Sequence, residues 1–262
     1  MKIISLNIWG GKVFDPFVEF VKKYSSEIDV FCFQEIFKSL VGVAISKGTH
    51  MNIFDDIAKL LPNHKPFFGS VQDGWDNEGP VDFEVGFGQA TFVRDTIVVD
   101  QAEHLIVWGE KNGAIPEVDG SVPGGMMCTS FKYKEKKHYT VCNVHGAAYP
   151  GSKLDTPERL AQSDKIKNFL ASRGQDNIIV CGDFNLLPTT KSIALLEENL
   201  INLISKYDIS RTRSTLSPYY GTADEQKFAD YTFVSPNIEI KEFQILQDQV
   251  SDHLAMYLEI AD

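Results

Sequence analysis

The chain has 262 residues, of which 43% are apolar, which is ordinary for a globular fold with a sizeable core. Its formal net charge of −11 argues against tight, sequence-blind binding to duplex nucleic acid, which calls for a broad basic face. No apolar run reaches the roughly 18 residues of a membrane-spanning helix, and no basic amphipathic helix offers a way onto a bilayer.

From the N-terminus, Lys2 to Ile8 reads as a first strand rather than a leader, because Ser5 and Asn7 interrupt its apolar stretch. It delivers Asn7 just before Gly10-Gly11. Pro16 to Ser26 places Phe17, Phe20, Val21 and Tyr24 at helical spacing, with Asp15 as N-cap and Pro16 at the first helical position. Ile28 to Phe33 is a buried strand ending in Gln34-Glu35. Met51 to Leu61 is a second amphipathic helix stopped by Pro62, and Gly69 to Pro80 is rich enough in Gly, Asp and Asn to predict a surface loop. Strands are expected over Gln89 to Arg94 and Thr96 to Trp108, then a Gly/Pro loop to Gly125.

Met126 to Tyr133 and His138 to Val144 form a predicted hairpin around Lys134-Glu135-Lys136-Lys137, a lysine run that suits a solvated turn better than a binding patch. Its second strand ends in Asn143-Val144-His145. Thr156 and Pro157 open a helix to about Ser172. In Asn177 to Asn185, an apolar strand from Ile178 to Cys181 meets Gly182, and Asp183 and Asn185 follow at alternate positions. If the strand continues, both side chains share one face and Phe184 enters the core; the same residues also suit a turn. Beyond a helix from Thr190 to Asn199, residues 210–227 are polar and irregular and carry Arg211 and Arg213. Phe228 to Val234, Ile238 to Leu246 and His253 to Ile260 are the last strands. Cys32, Cys128, Cys142 and Cys181 sit singly in strand-like runs, which predicts four buried free thiols in a reducing, cytoplasmic setting. No linker, repeat or low-complexity tract divides residues 1–262, so one α/β domain with mixed sheets is expected.

Asn7, Glu35, His145, Asp183, Asn185, Asp230 and the pair Asp252-His253 thus lie at the ends of six strands. Each alone has a structural explanation, such as a turn cap or a satisfied core histidine. Their recurrence points to a common site, since ligands in α/β folds gather at strand ends.

The ordered set Leu6-Asn-Ile-Trp9, Gln34-Glu35, Asn143-Val-His145, Gly182-Asp-Phe-Asn185, Asp230-Tyr-Thr-Phe233 and Ser251-Asp-His253 resembles the endonuclease/exonuclease/phosphatase family over its full length. The resemblance implies a four-layer α-β-β-α sandwich, two mixed sheets packed face to face with helices outside. It also implies Mg²⁺-dependent hydrolysis of a phosphodiester or phosphomonoester by in-line attack of water, with Mn²⁺ as a substitute ion. Glu35 would be the main metal ligand, with Asn7 nearby and Asp252 contributing. Asp183 would activate the water and Asn185 would hold a non-bridging oxygen. His145 and His253, the latter oriented by Asp230, would serve the phosphoryl oxygens or the leaving group. Tyr149 and Arg159 lie close in sequence to His145, which places them at the cleft, though Arg159 fits a helix surface equally well; Lys153, Arg159, Arg211 and Arg213 offer local positive charge for substrate phosphates. In the DNase branch the first histidine has a carboxylate partner; here Glu84 and Glu78 are nearby, but neither sits in a matching motif. Substrates range from nucleic acid, cut as an endo- or exonuclease would, to lipid and inositol phosphates. A non-catalytic binding module would be expected to have lost some of these residues.

Overall fold

The computed structural model describes residues 1–39, 41, 45–46, 48–76, 79–134, 137–174 and 177–261. In chain order the sheet strands are β1 (Lys2–Asn7), β2 (Val30–Ser39), β3 (His64–Asp73), β4 (Val85–Arg94), β5 (Val99–Trp108) and β6 (Gly124–Tyr133). They continue with β7 (Lys137–His145), β8 (Asn177–Asp183), β9 (Ile201–Asn202), β10 (Asp230–Val234), β11 (Ile240–Ile245) and β12 (Met256–Ile260). One six-stranded sheet runs β11-β12-β1-β2-β4-β3 and the other β9-β10-β8-β7-β6-β5. Each is mixed: β1 with β2 and β7 with β8 are parallel, and the other neighbours are antiparallel. The helices α1 (Phe14–Tyr24) and α2 (Ile53–Leu60) cover the first sheet. Against the second lie α3 (Pro157–Ala171), α4 (Lys191–Glu197) and the single turn α5 (Leu203–Lys206). The result is the expected four-layer α-β-β-α sandwich.

Strand periodicity explains the layering. On β1, Ile4 and Leu6 join Ile8 in the core beneath α1 and α2, with Phe17, Phe20 and Ile57. The alternate residues Ser5 and Asn7 meet polar partners instead: Ser5 Oγ accepts from Gln34 Nε2 on the neighbouring β2, and Asn7 Nδ2 donates to Asp183 on the second sheet. Inside the sandwich Gln34 Nε2 donates to Asn143 Oδ1 at 2.6 Å, and Asn143 Nδ2 donates to Phe33 O and Ala90 O. These bonds tie the two sheets together directly behind the strand ends that carry the candidate site. No helix among the described residues is long and apolar enough to cross a membrane.

Four local expectations are corrected. Helix α1 starts at Phe14 after Val13, so Asp15 lies in the first turn rather than at the N-cap. There its charge faces the positive end of the helix dipole. The predicted loop at Gly69 belongs to β3. A Cβ at Gly69 would come within 2.1 Å of His104, so the glycine is there to admit an imidazole, not to make a turn. Cys128 and Cys142 are disulfide-linked, because the hairpin register sets them directly opposite one another, with Cα atoms 4.1 Å apart. Their separation of 14 residues hid that proximity. Cys32 and Cys181 remain buried free thiols, and burial and the contact with Cys181 push the Cys32 thiol well up. Finally, β2 does not stop at Phe33. It runs on to Ser39 through a bulge at Gln34–Ile36. Glu135 and Lys136 of the lysine run fall outside the described residues.

His104 reaches from β5 across to Gln89 on β4, with Nε2 3.2 Å from Gln89 Nε2. Burial, helped by Lys111, lowers its pKa from 6.5 to about 4. The folded protein therefore refuses a proton that the unfolded chain accepts below pH 6.5, so stability falls as pH drops from 6.5 toward 4. Between pH 7 and 4.5 the wild type is expected to lose about 2 kcal/mol more than His104→Gln. Urea unfolding of both at the two pH values measures the difference, and parallel losses would contradict it.

Candidate active site

At one end of the sandwich the sequence-predicted residues converge. β1 ends at Asn7, beside Gln34 in the register of β2. The bulge gives Glu35 a left-handed backbone, φ 56°, and re-aims its carboxylate toward the second sheet. There His145, Asp183 and Asp230 stand side by side on β7, β8 and β10. Gly182, φ 137°, lets β8 lie against β7: a Cβ on it would be 2.0 Å from Val144 O. The turn before β12 is pinned by Ser251, whose hydroxyl donates to Asn7 O at 2.7 Å, and it brings in Asp252 and His253. A bridge between Arg213 and His253 draws the irregular 210–227 segment against the same turn.

Strand β8 ends at Asp183, so simple alternation does not align Asn185 with it. Instead Asn185 turns left-handed, φ 56°, and its N–H donates to Asp183 Oδ1 at 2.8 Å. That Asx turn points both side chains into one cleft. Phe184 goes to the opposite face and packs edge-on against Tyr231 and Phe233.

Asn7 Nδ2 donates to both Glu35 Oε1, at 2.9 Å, and Asp183 Oδ2, at 3.0 Å. His253 Nε2 stands 3.6 Å from Asp183 Oδ2, and its Nδ1 is held by both oxygens of Asp230 at 2.8 and 2.9 Å. His145 Nε2 lies 3.9 Å from Glu35 Oε1 and 4.0 Å from Asp183 Oδ2. Arg213 Nη1 pairs with Asp252 Oδ2 at 2.7 Å. Burial would raise the Asp183 pKa, but His253, His145, Arg213 and Lys153 together bring it down to about 2. Burial and Arg213 would lower the His253 pKa; Asp230, Asp252 and Asp183 outweigh them and lift it to about 9. At neutral pH the center therefore holds an ionised Asp183 facing a protonated His253.

His145 does not acquire the carboxylate partner left open by the sequence. Among the described residues its only carboxylates within 4.0 Å are Glu35 and Asp183, and the ring of Phe87 packs edge-on at 6.0 Å. Glu84 is exposed and Glu78 falls outside the described residues.

The four candidate substrate residues separate. Tyr149 and Arg213 line a cleft of about 670 Å³ beside the polar cluster, together with Trp9, Lys153 and Tyr219. Arg211 pairs with Glu225 and lies 4.9 Å over the Tyr220 ring. Arg159 is fully buried beneath the 147–154 loop, and its guanidinium donates to the carbonyls of Ala147, Ala148, Pro150 and Leu154. It braces the loop and does not reach the cleft. The sequence missed the weight of Lys153, whose Nζ donates to Asn185 Oδ1 at 2.5 Å. Only its charge was visible there.

A family model described as "Endonuclease/Exonuclease/phosphatase family" matches residues 4–253. No curated protein matches the chain by sequence. Among solved structures, the Bacteroides thetaiotaomicron mannosyl-6-phosphatase is similar with a TM-score of 0.72 at 17% identity, covering 100% of both chains. The human nocturnin catalytic domain, solved with a bound sulfate anion, aligns with a TM-score of 0.70 at 16% identity over 100% of this chain and 93% of that one. A humanized Danio rerio TDP2 gives 0.68 at 14% identity over 100% and 99%. At such identities these likenesses speak to the fold.

Proposed function

Since the chain belongs to the endonuclease/exonuclease/phosphatase family, whose members hydrolyse phosphoesters, we propose that it is a divalent-metal-dependent phosphoester hydrolase acting by in-line attack of water. The observation that carries this reading is the chain Asp183–His253–Asp230, a buried carboxylate facing a protonated imidazole that a second carboxylate orients.

The donor set suits Mg²⁺ or Mn²⁺. Glu35 and Asp252 are hard oxygen donors, and among the described residues none donates a hydrogen bond to Glu35 Oε2. Glu35, Asp183, Asp230 and Asp252 face Arg213, Lys153 and the imidazolium of His253, so the cleft stays net negative until a cation enters. Glu35 and Asp252 would hold the ion, with Asn7 beside them; as placed, Asn7 presents its NH₂ to Glu35 and Asp183, and its Oδ1 accepts from the Trp9 N–H. Asp183, Asp230 and His253 also lie within 4.8 Å of one another. That set is already self-compensated, because Asp230 takes Nδ1 of His253. A bound ion supplies charge that offsets the phosphoryl oxygens.

The remaining roles follow from charge and position. Asp183 orients the attacking water and takes its proton as the new P–O bond forms; with a pKa near 2 it acts more by orientation than by basicity. The ester P–O bond breaks, and the leaving oxygen takes its proton from His253 Nε2, whose tautomer Asp230 sets. His145 and Asn185 donate to non-bridging oxygens. Tyr149 and Arg213 contact the rest of the substrate.

A panel of p-nitrophenyl phosphate, bis(p-nitrophenyl) phosphate, sugar phosphates, inositol phosphates, single-stranded RNA and plasmid DNA tests the reading. Turnover of at least one member with Mg²⁺ or Mn²⁺, falling at least about 10²-fold in excess chelator and returning with the metal, is expected. Full turnover in excess chelator would overturn it.

A further inference from the structure

In the cleft, Arg213 has Asp252 and His253 has Asp230. Lys153 is different. Its ammonium donates to two neutral oxygens, Ala148 O and Asn185 Oδ1, both at 2.5 Å, and among the described residues no carboxylate is in salt-bridge contact with it. Burial is the main influence on its pKa and brings it down to about 8, against the opposing pull of Asp183. Taking an ammonium out of water without a contacting counterion is costly, and an anion delivered to the site removes that cost.

The backbone has been shaped to hold it there. Lys153 itself is left-handed, φ 57°, a conformation uncommon for a residue with a side chain. The surroundings are visible: Leu187 N donates to Lys153 O at 3.0 Å, and buried Arg159 staples the carbonyls on either side of the turn. The contact with Asn185 also has a consequence. With Oδ1 taken by Lys153, Asn185 Nδ2 is left with a long 3.5 Å contact to Gly146 O and is available to an incoming acceptor. An ammonium has three N–H donors. Two are engaged, which leaves one for the cleft that Lys153 lines with Trp9, Arg213 and Asp252.

We propose that Lys153 binds the reacting phosphoryl group, donating its third N–H to a non-bridging oxygen while it turns the Asn185 carboxamide so that Nδ2 faces the same group. This rests on the phosphoesterase reading of the site. It adds a cation not already matched by a carboxylate in contact, placed beside the atoms where negative charge builds.

Lys153→Met keeps the length and removes the charge; Lys153→Arg keeps the charge. Inorganic phosphate, titrated calorimetrically with Mg²⁺ present, is the binding probe, and kcat and KM on the best substrate of the panel are the second readout. Lys153→Met is expected to weaken phosphate binding about tenfold and kcat/KM about 10²-fold, with unchanged Mg²⁺ affinity, while Lys153→Arg stays within about threefold for phosphate. The proposal is overturned if Lys153→Met binds phosphate like the wild type, if Lys153→Arg falls as far as Lys153→Met, or if the wild type binds no phosphate. Because phosphate binding is read without turnover, failure of the hydrolase reading and failure of the Lys153 role give different results.

Discussion

Asp183→Asn is expected to lower kcat by about 10³- to 10⁵-fold, the range seen when a carboxylate that orients a reacting group is made neutral. The substitution keeps the volume of the side chain and one acceptor oxygen, so one of the two bonds that Asp183 accepts, from Asn7 Nδ2 and from the Asn185 N–H, persists and the other is lost. What it removes is the one charge on which His253, His145, Arg213 and Lys153 all act. The variant should therefore remain folded and still bind inorganic phosphate, with the loss appearing in kcat rather than KM. Steady-state kinetics beside a thermal melt would check this. An Asp183→Asn enzyme within tenfold of the wild type would remove Asp183 from the chemistry.

His253→Ala is expected to cost about 10³-fold in kcat, and Asp230→Asn about 10²-fold, within the span assigned to positioned proton donors and their orienting partners. The informative quantity is their combination. Among the described residues the Asp230 carboxylate is hydrogen-bonded to the His253 imidazole alone, at 2.8 and 2.9 Å. Once His253 is gone, replacing Asp230 should add almost nothing. Double-mutant kinetics would measure this, and losses that multiplied would assign Asp230 an independent role. Both groups are buried, so removing one leaves a charge without its partner. Each single variant should consequently melt lower than the double variant.

Near the site the backbone departs from the regular periodicity that a sequence reveals. Strand alternation would align Asp183 with Asn185, whereas the structure aligns them through a left-handed turn closed by a backbone N–H on a carboxylate. The apolar run stops before Glu35, yet the strand continues past it and a bulge turns the residue. In both cases the residue type was readable and the backbone state that aims it was not, because a positive φ at a non-glycine residue leaves no periodic mark. Arg159 is the opposite failure. A charged residue near a motif looked like a ligand for phosphate, yet its donors are used on four carbonyls of its own loop.

By itself the sequence determined the layers and the inventory. Alternating apolar positions on β1, continuous apolar runs in β2 and β8, helical spacing in α1 and α2 and the capping residues of α3 mark what must be buried, and the polar residues that end those strands then collect at an edge of the sandwich. The tertiary structure alone decided which groups touch. Asn7 joins Asp183 across 176 residues, and Ser251 anchors the Asp252-His253 turn on Asn7 across 244. Lys153 and Asn185 meet through two loops with no regular structure. Contacts of that kind depend on sheet register and on the conformation of single residues, which are settled only when the whole core closes, and no local pattern in the chain encodes them.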